Sequence, residues 1–391
     1  MSKRVLIAGG GMGGLSAAIA SARAGWQARV FEQAGAFTEA GAGIQLGPNA
    51  TRVLQAWDLG PALAQVAVFP PRLSVRSADT GTTLAQMRLG DSVRERYGAP
   101  YATLHRADLH RLLLEAATSA GAELILDTPI ESVRESADAV LARTASSDEV
   151  EGDALVGADG LWSRVRQQLW ADSAPVPTGH LAYRTLMAQE ELPQALRSDE
   201  VTVWLGPRLH VVAYPVRLGQ WLNVVAIVQG STAGDPQDWD QSGASADLQR
   251  ALGATCPPLQ DLVRATRSWR LWALHERPPL KSAQAMAHGR VALLGDAAHP
   301  MRPYLAQGAG MAIEDAQELG LCLAMARDHM ADVPTALRRY ALSRWERCAR
   351  VQRQAERNGR IFHATGPVQW GRDLSLRLLG ERLLDQPWLY R

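Results

Sequence analysis

"KRVLIAGGGMGGLSAAIASARAGWQARVFEQ", residues 3–33, decides the fold. "KRVLIA" ends in a continuous apolar run that stops at glycine, the pattern of a buried parallel strand. "GLSAAIASARAG" is a small-residue helix closing at Gly25, and "QARVFEQ" returns as a second strand. Between strand and helix, Gly9, Gly11 and Gly14 give the spacing GxGxxG. The first glycine permits a tight turn, the second lets backbone approach a pyrophosphate, and the third lets the helix pack on the strand. Met12 lies inside this turn, and the helix N-terminus offers N–H groups to phosphate oxygens. Glu32 closes the second strand 18 residues after Gly14, where a carboxylate can accept bonds from ribose hydroxyls. A lone GxGxxG is a weak signal. Strand, turn, helix, strand and acid in this order predict a dinucleotide site.

The chain has 391 residues, 47% hydrophobic and 21% charged, enough for two domains or one large domain with an insertion. A net charge of +1 gives no electrostatic reason to expect nucleic acid or an anionic membrane as partner. Cys256, Cys322 and Cys348 show no metal-ligand spacing, so no metal is expected, and their sparseness fits a reducing cytoplasm. The basic-then-apolar beginning resembles a signal peptide only superficially, since its glycines fall at fingerprint spacing and no polar cleavage region follows. No apolar span of about 20 residues occurs elsewhere. The expectation is a soluble cytoplasmic protein.

Further along, a loop through "GAGIQLGPNA" (41–50) leads to a helix from about Ala50 to Trp57. "RLSVRSADTGTTLAQMRL" alternates around Asp79-Thr80-Gly81 and predicts a hairpin. "HRADLHRLLLEAATSAG" predicts a helix with Leu109, Leu112, Leu113 and Ala116 on one face. Short strands follow to Gly157, and from Leu181 to Gln229 strand patterns dominate. "SADLQRALGATCPPLQDLVRAT" is helical, interrupted at Pro257-Pro258. "RVALLGDAAH" is again a buried strand, and nearly everything after Ala309 is helical. The class is α/β with a β-rich insertion between about 177 and 280.

Two more strand ends carry acids: "ALVGADG" stops on Asp159-Gly160 and "ALLGDAAH" on Gly295-Asp296, 137 residues from acid to acid. That is more than one nicotinamide site needs. With the fingerprint, these stretches resemble the FAD-dependent group A aromatic hydroxylases, the para-hydroxybenzoate hydroxylase superfamily, over essentially the whole chain. The resemblance implies a Rossmann-like FAD-binding domain of the GR2 type (1–72, 99–176 and 281–365). It also implies an inserted β-sheet substrate domain (73–98 and 177–280) and a helical C-terminal segment (366–391). FAD is then the cofactor, NADH or NADPH a transient co-substrate without its own glycine fingerprint, O2 the oxidant, and a homodimer the expected assembly. NADH is favoured by the branch resembled. Carried over, Asp159 contacts the flavin pyrophosphate region and the nicotinamide, Asp296 the ribityl chain, and Arg106 the FAD.

The stretch "LLGDAAHPMRPYLAQGAGMAIEDA" (293–316) then has a physical reading. Pro300 and Pro303 stiffen a loop, and a helix opens with small residues at Gly308 and Ala309. Its N-terminus, worth about half a positive charge, would favour the negative charge of a reduced flavin ring. Glu314 and Asp315 are expected to serve the first helical turns, His299 to bond backbone, and Arg302 to face solvent near the nicotinamide approach.

Within the superfamily the chain is most similar to the 3-hydroxybenzoate 6-hydroxylase and 6-hydroxynicotinate 3-monooxygenase branch. The shared residues are "GAGIQLGPNA" (41–50, with Gly43), "YR" (183–184), "HVVAYPV" (210–216), "HPMRPYLAQGA" (299–309) and "WLY" (388–390). The resemblance implies a phenol-activating base at His210 and a pocket-lining tyrosine at Tyr214. Tyr304, Pro303, Gln45 and Arg184 are the expected substrate-binding positions, Arg184 either holding a carboxylate or bracing the sheet. Pro303 departs from the glutamine of the 3-hydroxybenzoate enzymes, and Tyr304 from the histidine of the 6-hydroxynicotinate enzymes. The activity implied is hydroxylation of a 3-hydroxybenzoate-like phenolic acid through a flavin C4a-hydroperoxide. A phenolate is the stronger nucleophile toward that oxygen, so a histidine near neutral pKa suits the task. The alternatives are decarboxylative hydroxylation of the salicylate or 6-hydroxynicotinate type, or a flavoprotein redox or interaction module without aromatic turnover. A flavin halogenase is disfavoured: "SWRLWAL" lacks the WxWxIP spacing, and Lys3 and Lys281 are the only lysines.

Overall fold

The computed structural model describes residues 3–37, 42–170, 174–231, 235 and 241–391; Gly41, at the head of the 41–50 stretch, lies outside these. The chain divides into two compact units. One is Met1–Glu39, Leu109–Val176 and Glu276–Ala355; the other is Ala40–Asp108, Pro177–His275 and Glu356–Arg391. Residues 40–72, 99–108 and 356–365, which the resemblance grouped with the FAD-binding part, therefore cluster with the second unit. Hydrogen bonds explain this for the first two segments. Gly43 N–H donates to Asn223 Oδ1 (2.6 Å), and the Thr103 hydroxyl donates to the Pro215 carbonyl (2.6 Å).

In the first unit, the described strands form a six-stranded sheet ordered Ala287–His288, Val291–Leu293, Ala154–Gly157, Arg4–Ala8, Gln27–Phe31, Glu123–Ile125. All neighbours are parallel except the first pair. Val5, Leu6 and Ile7 are fully buried, as a strand covered on both faces requires. The register sets Ala8 beside Gly157 and Gly157 beside Leu293. The glycine fingerprint, Asp159 and Asp296 thus leave from the carboxyl ends of three adjacent strands, where open α/β sheets bind ligands. Helix Met12–Arg23 lies beside helix Gly308–Arg327, with Trp26 Nε1 donating to the Leu323 carbonyl (2.9 Å). A separate antiparallel sheet comprises Ile130–Glu135, Val140–Thr144 and Glu149–Gly152.

In the second unit, the described strands form an eight-stranded sheet ordered Gln241–Gly243, Trp269–Glu276, Val176–Ala188, Trp221–Gln229, Leu209–Val216, Val201–Gly206, Arg72–Ser77, Thr83–Arg88. Arg72–Ser77 and Thr83–Arg88 pair as the expected hairpin, with Gly81 at φ +73°. One sheet face carries Tyr183, Val211, Ala213, Val224, Ala226 and Val228. It is covered by Leu248, Leu252, Leu259 and Leu262 of helices Ser245–Leu252 and Pro257–Arg264. Two local expectations change. Gly43–Leu46, taken as loop, is a strand paired with Ala102–His105, and helix Gly90–Tyr97 went unforeseen. The first depends on a partner nearly 60 residues away; the second has a weak apolar pattern of Val93 and Tyr97.

The fingerprint turn generates a stability prediction. A Cβ on Gly14 would overlap the Gly9 carbonyl oxygen, whereas one on Gly11 meets nothing within 4 Å. Gly14→Ala is expected to lower unfolding free energy by more than about 3 kcal/mol, and Gly11→Ala by less than about 1 kcal/mol. Denaturant titration of both checks this; equal losses would overturn the steric assignment.

Candidate cofactor and ring-binding sites

In the first unit, Gly9 makes the tight turn at φ +99°, where its Cβ would lie 2.5 Å from the Ala158 carbonyl oxygen. Gly11 starts the helix without a side-chain cap, and the space beside it is open. Met12 is buried behind the turn. The Glu32 carboxylate accepts from Gly10 N–H (2.7 Å) and Ala34 N–H (2.8 Å), so it fixes the turn. Asp159 Oδ2 accepts from the N–H groups of Arg164 (2.8 Å) and Val165 (3.2 Å), while its Oδ1 is buried without a hydrogen-bond partner. Burial, only partly offset by the Ser163 and backbone bonds, pushes the Asp159 pKa up. Asp296 is exposed between buried neighbours, with an Oδ1 4.0 Å from where a Gly308 Cβ would stand. An open glycine cradle and an orphaned buried carboxylate oxygen fit a large ligand with phosphate and hydroxyl groups.

The loop after Asp296 is held from below by groups the sequence assigned otherwise. Asp315, fully buried, accepts from Gly295 N–H (3.1 Å), His299 Nε2 (2.5 Å) and Arg344 Nε (2.8 Å), with Cys348 Sγ at 3.6 Å. Glu314 accepts from Arg344 and from both Nε and Nη2 of Arg347. The two acids are therefore not first-turn helix acids: they lie two turns into Gly308–Arg327 and face helix Val333–Phe362. His299 bonds this carboxylate rather than backbone. Arg302 pairs with both oxygens of Glu276 (2.6 Å each) rather than facing solvent alone. Arg166, buried and unremarked in the sequence, donates to the carbonyls of Ala297 (3.1 Å) and Ala298 (2.5 Å). Pro303 is exposed and Tyr304 buried, its phenol pushed up by burial. Helix Gly308–Arg327 begins at the expected Gly308 and Ala309, without a side-chain cap.

Burial alone would raise Asp315, but His299 and Arg344 hold it well below the usual carboxylate range. Burial alone would lower His299; Cys348 and Asp315 beside it outweigh that and hold it well above 6.5.

In the second unit, strand alternation puts His210, Val212 and Tyr214 on the sheet face opposite the helix-covered core. Register sets Val212 beside Val203 and Val225, His210 beside Ile227, Tyr214 beside Asn223, and Arg184 beside Val225. Val203, Val212 and Val225 are only partly buried, whereas His210, Tyr214, Asn223 and Arg184 are buried. The result is an apolar floor with polar groups around it. His210 and Tyr214 do not touch each other: four residue steps along the strand separate them by about 13 Å. Tyr214 packs with Val201 and Val216 and lies near Gln45, which also accepts from the Tyr101 hydroxyl (2.6 Å). A Cβ on Gly43 would come within 2.6 Å of both Tyr214 and Asn223, so this strand needs glycine for its approach. Arg184 stacks 4.4 Å over the Trp272 ring. Arg106 opens helix Arg106–Ser119, its N–H bonded to the Ala42 carbonyl (2.8 Å). His210 Nδ1 lies 2.7 Å from His363 Nε2, and burial, then His363 and His180, lower its pKa well below 6.5. Tyr101, Asn223 and His363 were missed in the sequence; only the buried-strand asparagine in "WLNVVAIVQ" offered a signal.

The family model described as FAD binding domain matches residues 2–355. The 3-hydroxybenzoate 6-hydroxylase of Polaromonas naphthalenivorans (strain CJ2) is 38% identical over 390 residues, covering 99% of this chain and 95% of its own. A 3-amino-4-hydroxybenzoate 2-monooxygenase of Streptomyces platensis is 37% identical over 388 residues, covering 99% and 95%. The crystal structure of Klebsiella pneumoniae HpxO complexed with FAD and uric acid matches with TM-score 0.86 at 25% identity, over 98% of this chain and 94% of that one. The chain belongs to the FAD-binding-domain family, and within it to the FAD-dependent aromatic monooxygenases. FAD is its cofactor. Among the described residues no helix is long and apolar enough to cross a membrane.

The Asp315 cluster predicts an acid sensitivity. A carboxylate held below its unfolded pKa stabilises the fold above about pH 4, and that contribution is lost as pH falls through the folded value. Arg344→Ala removes one group that depresses Asp315, so the acid unfolding midpoint should move up and stability near pH 7 fall by about 3–5 kcal/mol. Urea unfolding across acidic to neutral pH measures both; an unchanged acid midpoint would contradict the assignment.

Proposed function

We propose that the chain hydroxylates a single-ring phenolic acid, 3-hydroxybenzoate or a close analogue, with NADH as reductant. The observation that carries this reading is the arrangement of Arg184, Val225, Val212, His210 and Tyr214 on one sheet face. Arg184 and His210 stand two strand spacings and one side-chain repeat apart, about 12 Å between backbones. That spacing suits an aromatic ring carrying a carboxylate at one end and a hydroxyl at the other. The valines supply the apolar floor, and Arg184 stays charged because stacking on Trp272 and a guanidinium's high intrinsic pKa both favour the cation.

Gly11, Glu32, Asp159 and Asp296 would hold the FAD, with Arg106, Gly43, Gly308 and Ala309 as further cofactor positions. Bound FAD, reduced by the nicotinamide, supplies the electrons that place one atom of O2 on the ring and release the other as water. The protein's part is to orient the ring and remove its phenolic proton. His210, kept neutral by burial, takes that proton at Nε2, since Nδ1 is engaged with His363. Tyr214 and Gln45 bound the ring's far side, and Tyr304 with Pro303 form part of the substrate-selecting loop.

Purified protein should oxidise NADH faster with 3-hydroxybenzoate than without it, and mass spectrometry should find a product heavier by one oxygen that retains its carboxylate. His210→Ala should keep its FAD while hydroxylation falls on the order of 10²-fold. Product that has lost CO2 would favour the decarboxylative reading; full coupling of NADH oxidation to hydroxylation in His210→Ala would remove histidine as base.

The same proposal extends to assembly and location. Three buried free cysteines fit a reducing cytoplasm. Helix Gly366–Leu379 buries Arg372 and Leu376 on one side while Trp370, Leu374 and Leu378, 72%, 58% and 74% exposed, line the other. A second copy meeting this stripe about a two-fold axis covers it. Analytical ultracentrifugation should find a dimer at micromolar concentration, and a monomer for Trp370→Glu with Leu374→Glu. A monomeric native chain would refute this interface.

A further inference from the structure

Three histidines lie over one face of the eight-stranded sheet. His180 and His210 rise from strands Val176–Ala188 and Leu209–Val216, and His363 directly follows helix Val333–Phe362. All three are buried, at 8%, 2% and 5% exposure. His363 links the set: its Nε2 is 2.7 Å from His210 Nδ1, its ring is 5.0 Å from that of His210, and it meets the His180 ring edge-on at 4.7 Å. Phe362 adds an edge contact to His210 at 5.4 Å. The end of the helix is itself fixed. Arg372, paired with Asp373, donates to the carbonyls of Ile361 and Phe362, and Arg208 N–H donates to that of His363.

A hydrogen bond between two imidazoles holds a single proton, so the state of one ring dictates that of the other. When His210 Nδ1 carries that proton and His363 Nε2 accepts, His210 Nε2 has a lone pair and is a base. In the reverse arrangement His210 Nε2 carries hydrogen and can only donate. Two buried rings cannot both be charged at this separation, which keeps the pair at no more than one excess proton.

We propose that His363 is the positioning residue that sets His210 in its basic tautomer and takes up the proton that His210 receives. This rests on the reading of His210 as the base. The step balances without any further reagent. The substrate O–H bond breaks as an N–H bond forms at His210 Nε2, and His210 Nδ1–H passes its proton to His363 Nε2. His210 is again neutral, and the excess charge sits on His363. There the carbonyl end of a 30-residue helix favours a cation, opposed by Arg372, which is itself neutralised by Asp373. The proton returns by the reverse route when the product is reprotonated. His180 adjoins His363 through its ring edge and enters as a neighbour that resists double protonation.

The test uses the FAD-loaded full chain and two substitutions. His363→Gln retains an acceptor for His210 Nδ1–H but cannot take a proton; His363→Phe removes both functions. Nitrogen NMR of the His210 ring should show Nδ1–H in the native chain and in His363→Gln, and a changed tautomer in His363→Phe. With 3-hydroxy-4-nitrobenzoate as probe, the visible phenolate band should report ionisation of the bound ring near pH 7. Ionisation should fall at least about 10-fold in both variants, with probe affinity changing less. His210→Ala separates the two hypotheses. If it leaves ionisation intact, His210 is not the base. If it abolishes ionisation while both His363 variants match the native chain, the base stands and the role of His363 is refuted. An unchanged His210 tautomer in His363→Phe overturns the positioning role whether or not the probe binds.

Discussion

Asp315 is a carboxylate with no solvent exposure, and the strand-end loop of the first unit is built around it. Its oxygens accept from Gly295 N–H, His299 and Arg344, which come from the loop's start, the loop's middle and helix Val333–Phe362. Each charged hydrogen bond contributes about 1.5–3 kcal/mol relative to its loss, yet burying the ions costs several kcal/mol apiece. The net stabilisation is therefore small, and the cluster's main effect is to tie residues 295–299 to helices Gly308–Arg327 and Val333–Phe362. Arg166 completes the arrangement by taking the carbonyls of Ala297 and Ala298. Asp296 projects outward because both of its neighbours are fastened inward. The prolines at 300 and 303 narrow the loop's freedom, but the buried polar cluster fixes its course.

The large sheet of the second unit solves a different problem with the same backbone. Period-two alternation gives each strand two faces. One is filled by Val211, Ala213, Val224, Ala226 and the helix leucines, an ordinary core. The opposite face carries His210, Tyr214, Asn223 and Arg184 about three partly open valines. Buried polar groups at such density are tolerated only when partnered. His210 has His363, Arg184 has the Trp272 ring, Gln45 has Tyr101, and Asn223 Oδ1 has Gly43 N–H.

This contrast explains what the sequence could and could not say. Gly9, Gly11, Gly14 and Glu32 form a local pattern in which every element lies within about 30 residues, so the spacing itself carries the geometry. The hairpin at Asp79-Thr80-Gly81 and the helix opening at Gly308 were legible for the same reason. Asp315 was not, since an acid in a helix looks the same whether it faces solvent or a buried arginine 29 residues on. Strand Gly43–Leu46 needed Ala102–His105, and the His210–His363 bond joins residues 153 positions apart with no motif between them. Arg302 and His299 were misplaced because their carboxylate partners, Glu276 and Asp315, are set by tertiary packing. Local chemistry was visible in the sequence; long-range pairing of polar side chains was not.

Burial acts on the two sheet-face residues central to the proposed chemistry in the same sense, and their surroundings decide each case differently. Desolvation disfavours every charged form. For His210 this effect is left standing, even strengthened by His363 and His180, and the ring stays neutral. For Arg184 the aromatic face of Trp272 and the intrinsic strength of the guanidinium oppose it, and the charge is kept. A lysine at 184 would face the same desolvation with a lower intrinsic pKa and no planar group to stack. Only two lysines occur in the whole chain, neither on this sheet face. A neutral acceptor and a permanent cation can therefore share one apolar floor, which is the polarity that a phenolic acid presents in reverse.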